Sequence, residues 1–204
     1  MEVNTKVNLS GLILDNPVIP ASGTYGFGKE YVDFYDINIL GSISIKGTTV
    51  QRRKGNPQPR IAECYSGLIN SVGLENPGMH NVIQKELKDL EKIYRKPVIA
   101  NISGFSVEEY VTLAREMDKV DNVGIIEVNI SCPNVDHGGL AFGTNADNVR
   151  ELTKKIKEVT TKPVYMKLSP NVTDIKEIAR AAEEGGADGI SLINTLMGMR
   201  IDIN

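Results

Sequence analysis

At 204 residues, 41% of them hydrophobic and 24% charged, the chain is long enough to bury a sizeable core and too evenly mixed to be disordered. A formal charge of −3 gives no general attraction to nucleic acid or anionic lipid, so neither is expected as a partner. No apolar run approaches the length that spans a bilayer, and Met1 to Thr5 lacks the features of a signal peptide, so a cytoplasmic location is expected.

Residues 3 to 14 alternate loosely around Ser10-Gly11, which predicts a small hairpin ahead of the main fold. Apolar segments then alternate with helical patterns. The segments are Val18 to Pro20, Ile43 to Ile45, Val98 to Ile102, Ile125 to Ile130, Val164 to Leu168 and Ile190 to Ile193. The helical stripes are Ile83, Leu87, Leu90 and Tyr94; Val107, Val111, Ala114 and Met117; Val149, Leu152, Ile156 and Val159; and Ile175, Ile178, Ala179 and Ala182. Strand, helix, strand, repeated, predicts a parallel sheet with helical crossovers. Lys96-Pro-Val-Ile-Ala-Asn101 and Lys162-Pro-Val-Tyr-Met-Lys167 form an internal repeat, each following an amphipathic helix and opening a strand.

Polar residues stand near the carboxyl ends of all six segments: Ser22, Lys46, Asn101, Asn129, Lys167 and Asn194. In a β/α barrel those ends form the catalytic face. A doubly wound open sheet uses the same unit, but no Gly-x-Gly-x-x-Gly turn follows the first strand, so the barrel is preferred. Two long connections, residues 50–79 and 133–147, interrupt the rhythm at this rim, and the glycines of the second suggest a lid.

The segment from Gly124 to Asn134 is the most informative. Ile126, Val128 and Ile130 face one way and Glu127, Asn129 and Ser131 the other, the period of a strand. Pro133 ends it and leaves Cys132 in the first turn beyond. Asn is disfavoured in strands, which singles out Asn129. Lys46 shares a face with Ser42 and Ser44 while Ile43 and Ile45 face away, which aims it into the barrel mouth. Cys64 lacks a comparable flank and is expected to be structural; it lies too far from Cys132 for a disulfide framework or zinc spacing, and no metal site is expected. His80 and His137 form no recognisable pair, and Lys85 to Lys92 carry the charges of a solvated helix face.

Asn129-Ile-Ser-Cys-Pro-Asn134, with His137-Gly-Gly-Leu-Ala-Phe-Gly-Thr144, resembles the active-site segment of the class 1B dihydroorotate dehydrogenases. In order along the chain, Asn16 to Gly28, Ile45-Lys-Gly-Thr-Thr49, Asn70-Ser-Val-Gly-Leu-Glu-Asn-Pro-Gly78 and Ile193-Asn-Thr195 agree with it. The resemblance implies a single (β/α)8 barrel domain over residues 1–204. It is incomplete here, with about six βα units plus the N-terminal hairpin and without strands 7 and 8 or their glycine-rich phosphate loops; such barrels need about 250 residues.

The activity it implies is oxidation of (S)-dihydroorotate to orotate with FMN, in pyrimidine biosynthesis. Cys132 would take the proton from C5 while the hydride leaves C6 for the flavin. Flavin contacts are implied for Ala21, Ser22, Lys46, Gly47, Asn101, Asn129, Lys167 and Ile193. Substrate contacts are implied for Lys46, Asn70, Ser71, Val72, Gly73, Leu74, Asn129, Asn134, Asn194 and Thr195. The residues after Cys132 resemble the type that works with an iron-sulfur, FAD-containing subunit and passes electrons to NAD; a homo-oligomer is also expected. The alternatives are a fumarate-dependent class 1A enzyme, another pyrimidine-reducing flavoenzyme, and an inactive truncated barrel.

Overall fold

The computed structural model describes residues 3–131 and 142–201. β1 (Val7–Leu9) and β2 (Leu12–Leu14) form the predicted hairpin, antiparallel with Asn8 opposite Ile13. A four-residue helix, α1 (Ser22–Tyr25), precedes two short 3-10 turns, Lys29–Tyr31 and Ile37–Ile39. The predicted long connection at 50–79 contains a second antiparallel hairpin, β3 (Ile61–Cys64) with β4 (Gly67–Asn70). A composite helix follows: α2 (Met79–Asn81), a π turn (Val82–Glu86) and α3 (Leu87–Glu91). The rest alternates: β5 (Val98–Ile102), α4 (Val107–Asp118), β6 (Val123–Asn129), α5 (Ala146–Lys157), β7 (Val164–Lys167), α6 (Ile175–Glu184) and β8 (Gly189–Ser191).

β5, β6, β7 and β8 are parallel and neighbour one another in chain order. The second predicted strand joins β5 through parallel bridges at Ser44 and Thr48, with Ile45 N–H donating to Ile99 O at 3.0 Å. The first predicted strand, Val18 to Pro20, is not a ladder strand. It touches the next segment through Gly41 N–H on Val18 O at 3.0 Å, because Pro17 and Pro20 deny it donors. A doubly wound sheet reverses its strand order at a switch point; this order never reverses, which is the winding of a barrel.

Period two decides which side each residue serves. Val98, Ala100, Ile102, Ile126, Val128 and Ile130 join the core beneath the helices, with Leu113, Met117, Leu152, Ile156, Ile178 and Ala182. The three longer helices start at side-chain caps: Ser106 Oγ accepts from Glu109 N–H, Asn145 Oδ1 from Asn148 N–H, and Asp174 Oδ1 from Lys176 N–H. The charged face predicted to be solvated is partly clasped, since Lys29 Nζ lies 2.7 Å from Glu86 and 3.2 Å from Asp89.

The repeated lysines are structural. Lys96 Nζ donates to Leu40 O at 2.8 Å and Lys162 Nζ to Met117 O at 3.4 Å and to Val120 O. Each ties the start of a strand to carbonyls at the end of the helical segment that leads into the neighbouring strand, Leu40 after the Ile37–Ile39 turn and Met117 and Val120 at the end of α4. The N-terminal hairpin packs at this same amino end, where Ser10 Oγ bonds Tyr165 Oη at 3.0 Å and Asp188 O at 3.1 Å, and Leu14 is 1% exposed. Among the described residues no helix is long and apolar enough to cross a membrane. Leu14→Ala empties the hairpin's buried anchor, an expected loss of about 2–5 kcal/mol, read as a lower unfolding midpoint in a denaturant titration.

Candidate active site

At the carboxyl ends of the strands lies a cavity of about 670 Å³. Asn70, Ser71, Val72, Gly73, Leu74, Asn129, Asn194 and Thr195 line it together, although they come from three separate stretches of chain. Asn194 Nδ2 donates to Asn129 Oδ1 at 2.8 Å, and Ser131 N–H donates to the same oxygen at 3.1 Å. Those bonds consume the acceptor of Asn129 and turn its amide nitrogen outward as a donor. Tyr110, fully buried, donates from Oη to Asn129 O at 2.7 Å and fixes the strand end. The peptide between Leu192 and Ile193 is cis, and Asn194 N–H still donates to Leu168 O at 2.9 Å.

The 70–74 segment is held from behind by Asn76, which the sequence reading passed over. Buried at 4% exposure, Asn76 accepts through Oδ1 from Thr49 N–H at 3.2 Å and Gly78 N–H at 2.9 Å. Its Nδ2 donates to Thr49 Oγ1 at 2.9 Å and Leu74 O at 2.7 Å. Arg53 lies 4.7 Å from the centre of the Phe105 ring, and its Nε donates to Gly73 O at 3.4 Å. Gly73 has φ of 74° and any Cβ there would meet the Asn56 amide at 2.9 Å, so the turn requires glycine.

Below the cavity lies a buried polar layer. Glu127 Oε2, on β6, accepts from Asn101 Nδ2 at 2.5 Å and Ser44 Oγ at 3.1 Å, and Lys167 Nζ stands 4.0 Å away. Lys46 follows Ser44 by two residues in the 43–48 segment and makes no ion pair among the described residues. Burial pulls its ammonium below the usual lysine value; the charge of Arg60 adds to this and that of Glu75 opposes it. Ser22 is buried in α1, not at a strand end as predicted, while Ala21 is exposed and caps that helix with its carbonyl. Ile193 is 45% exposed beyond β8.

Cys132, Asn134, His137 and most of the predicted lid lie outside the described residues. Cys64, expected to be structural, is partly exposed at the end of β3 and lines the cavity. Among the described residues no group of three or more His, Cys, Asp and Glu could hold a metal ion.

A lysine with a lowered folded value releases its proton first in the folded state. Its charge therefore weakens the ligand-free fold below that value, and the penalty fades as pH rises towards 10.5, the ordinary value. Lys46→Met is expected to raise the ligand-free unfolding midpoint at pH 7, with a smaller gain at pH 10. Asn76→Ala, which strands two buried N–H groups, is expected to cost about 2–4 kcal/mol in a urea titration.

The sequence matches the dihydroorotate dehydrogenase family over residues 4–204. It is 57% identical over 198 residues to a protein of Bacillus cytotoxicus named dihydroorotate dehydrogenase B (NAD(+)), catalytic subunit, covering 97% of this chain and 64% of that one. The protein of the same name from Halalkalibacterium halodurans is 56% identical over 197 residues, with the same coverage. This chain thus spans 64% of the length of the curated relatives it matches. The crystal structure of DHODH from Eimeria tenella in complex with ferulenol aligns with a TM-score of 0.75 at 20% identity, over 97% of this chain and 61% of that chain, and shows the shared fold. With an incomplete β/α barrel and a family match along nearly its whole length, the chain belongs to the dihydroorotate dehydrogenase family.

Proposed function

We propose that the chain carries the catalytic part of a cytoplasmic dihydroorotate dehydrogenase of class 1B, oxidising (S)-dihydroorotate to orotate with FMN. One observation carries the reading: a 670 Å³ cavity lined by amides from three stretches of chain opens above a buried layer of Asn101, Glu127 and Lys167. Alternating ring carbonyls and N–H groups suit amides, which offer a donor and an acceptor on one side chain. Asn70, Asn129, Asn194 and Thr195, with the Ser71 to Leu74 backbone, would hold the ring. Lys46, a cation already stripped of part of its water, would pair with the substrate's negative charge.

The polar layer fits a flavin. Asn101 Oδ1 and Ser103 Oγ are buried without a hydrogen-bond partner among the described residues. A Cβ on Gly47 would stand 2.9 Å from that Oδ1, so glycine keeps the acceptor uncovered. Ala21, Ser22, Lys46, Gly47, Asn101, Asn129, Lys167 and Ile193 are the residues that would surround the group. When bound, FMN supplies the hydride acceptor. Lys167 would stabilise negative charge beside it, and the amides would orient the substrate so that its C5 proton faces Cys132.

Cys132 is the proposed base. A free thiol ionises at roughly 8.5, so only its thiolate form can take the proton, and the rate is expected to climb with pH through that titration. Electrons would pass to NAD through an iron-sulfur, FAD-containing subunit, a reading supported by the name of the Bacillus relative as a catalytic subunit of an NAD(+) enzyme.

The test is an anaerobic visible spectrum of the protein supplied with FMN, before and after dihydroorotate. Bound flavin should bleach, and Cys132→Ala should slow the bleaching by at least about 10²-fold, the usual contribution of a general base. Failure of dihydroorotate to bleach bound flavin would overturn the reading.

A further inference from the structure

We infer that Glu127 is a positioning residue for the flavin pocket: it orients the Asn101 amide and offsets the charge of Lys167, and so sets the reduction potential of the bound cofactor. The inference rests on the flavin reading above. Its basis is the buried layer itself. Glu127 is 7% exposed, and its carboxylate gathers Ser44 from the 43–48 segment, Asn101 from β5 and Lys167 from β7. One acidic side chain therefore links four neighbouring segments of the sheet at the level of the pocket.

The chemistry of a carboxylate makes the arrangement directional. It only accepts, so the 2.5 Å contact must come from the Asn101 NH₂, and the amide oxygen must point the other way. That oxygen is the buried acceptor without a partner among the described residues, under the space kept open by Gly47. A buried acceptor left unpaired is costly, and a ligand N–H such as the imide of an isoalloxazine ring satisfies it. Without Glu127 the amide is free to turn and present its NH₂ instead, which repels that donor.

The second effect is electrostatic. Lys167 and Glu127 have side chains only 12% and 9% exposed, so water screens their charges poorly. Two-electron reduction places negative charge on a flavin. Lys167 favours that state, and Glu127 at 4.0 Å from its ammonium opposes it. The pair holds the potential below what an unopposed lysine would impose.

Glu127→Gln keeps the volume and removes the charge. In the FMN-loaded protein the expected result is weaker binding of oxidised FMN, by about tenfold, with the affinity ratio of reduced to oxidised FMN raised about tenfold. For a two-electron couple that ratio is an upward shift of about 30 mV. Lys167→Met should move the potential down, and the double variant should return it near the wild-type value, opposed shifts that a merely structural glutamate would not produce. Glu127→Asp, the gentler change, keeps the charge but withdraws it from Asn101, so FMN affinity should fall while the potential holds. An unchanged potential in Glu127→Gln, or unchanged FMN affinity in Glu127→Asp should the first variant fail to fold, overturns the inference. Wild-type protein that takes up no FMN would instead sink the flavin reading before Glu127 is tested.

Discussion

The pairing of β5 with β6 is the constraint on which both the core and the site depend. Asn101 stands opposite Glu127 and Ala100 opposite Ile126, after a register shift between Val98 and Ile99. Side chains alternate across a strand, so one register sends Ala100, Ile102, Ile126 and Val128 under the helices and Asn101, Glu127 and Asn129 into the barrel. A slip of one residue would bury the carboxylate among aliphatic side chains and expose the isoleucines to the polar layer. The apolar set that stabilises the fold therefore also enforces the polar set.

The two ends of the sheet are built on different terms. At the amino end, the hairpin, Lys96 and Lys162 satisfy carbonyls and cover the opening. At the carboxyl end, Lys46 is desolvated and forms no ion pair among the described residues, and Asn101, Ser103 and Ser131 carry buried polar atoms without partners there. Each such group costs free energy in the ligand-free state. Their concentration at one end agrees with the proposal that this end holds a ligand.

Much of this was legible in the sequence because it is local. The alternation in Ile125 to Ile130, the helical stripes from Val107 onward and the lysine-proline repeat each announce themselves within a short window. The first strand was misread because an apolar run resembles a strand until the donors lost at Pro17 and Pro20 are counted. The β3–β4 hairpin was missed because Ile61, Ala62 and Glu63 are all exposed, so burial imposes no alternation to read. Asn76 sits in Glu-Asn-Pro-Gly, where asparagine reads as a turn residue; its bonds reach back to Thr49, which no local pattern reveals. Lys29 is similarly hidden, its partners lying at Glu86 and Asp89. Glu127 is itself a legible signal: a carboxylate set among Ile125, Ile126 and Val128 must find donors or not be buried at all.

Because the proposed site gathers groups from different strand ends, its occupancy would be coupled to folding. A ligand that pairs Lys46, meets Asn101 Oδ1 and accepts from the Asn129 amide removes penalties that the empty fold bears, so part of its binding energy appears as stability. The amino end, already tied by the hairpin and the two lysines, has no such debt to recover. Ligand stabilisation should then concentrate in the carboxyl-end segments, residues 43–48, 70–74 and 191–195, leaving the hairpin largely unaffected. On the proposed function, the stability of the sheet would be graded along its strands, from a self-sufficient floor to a rim completed by what it binds.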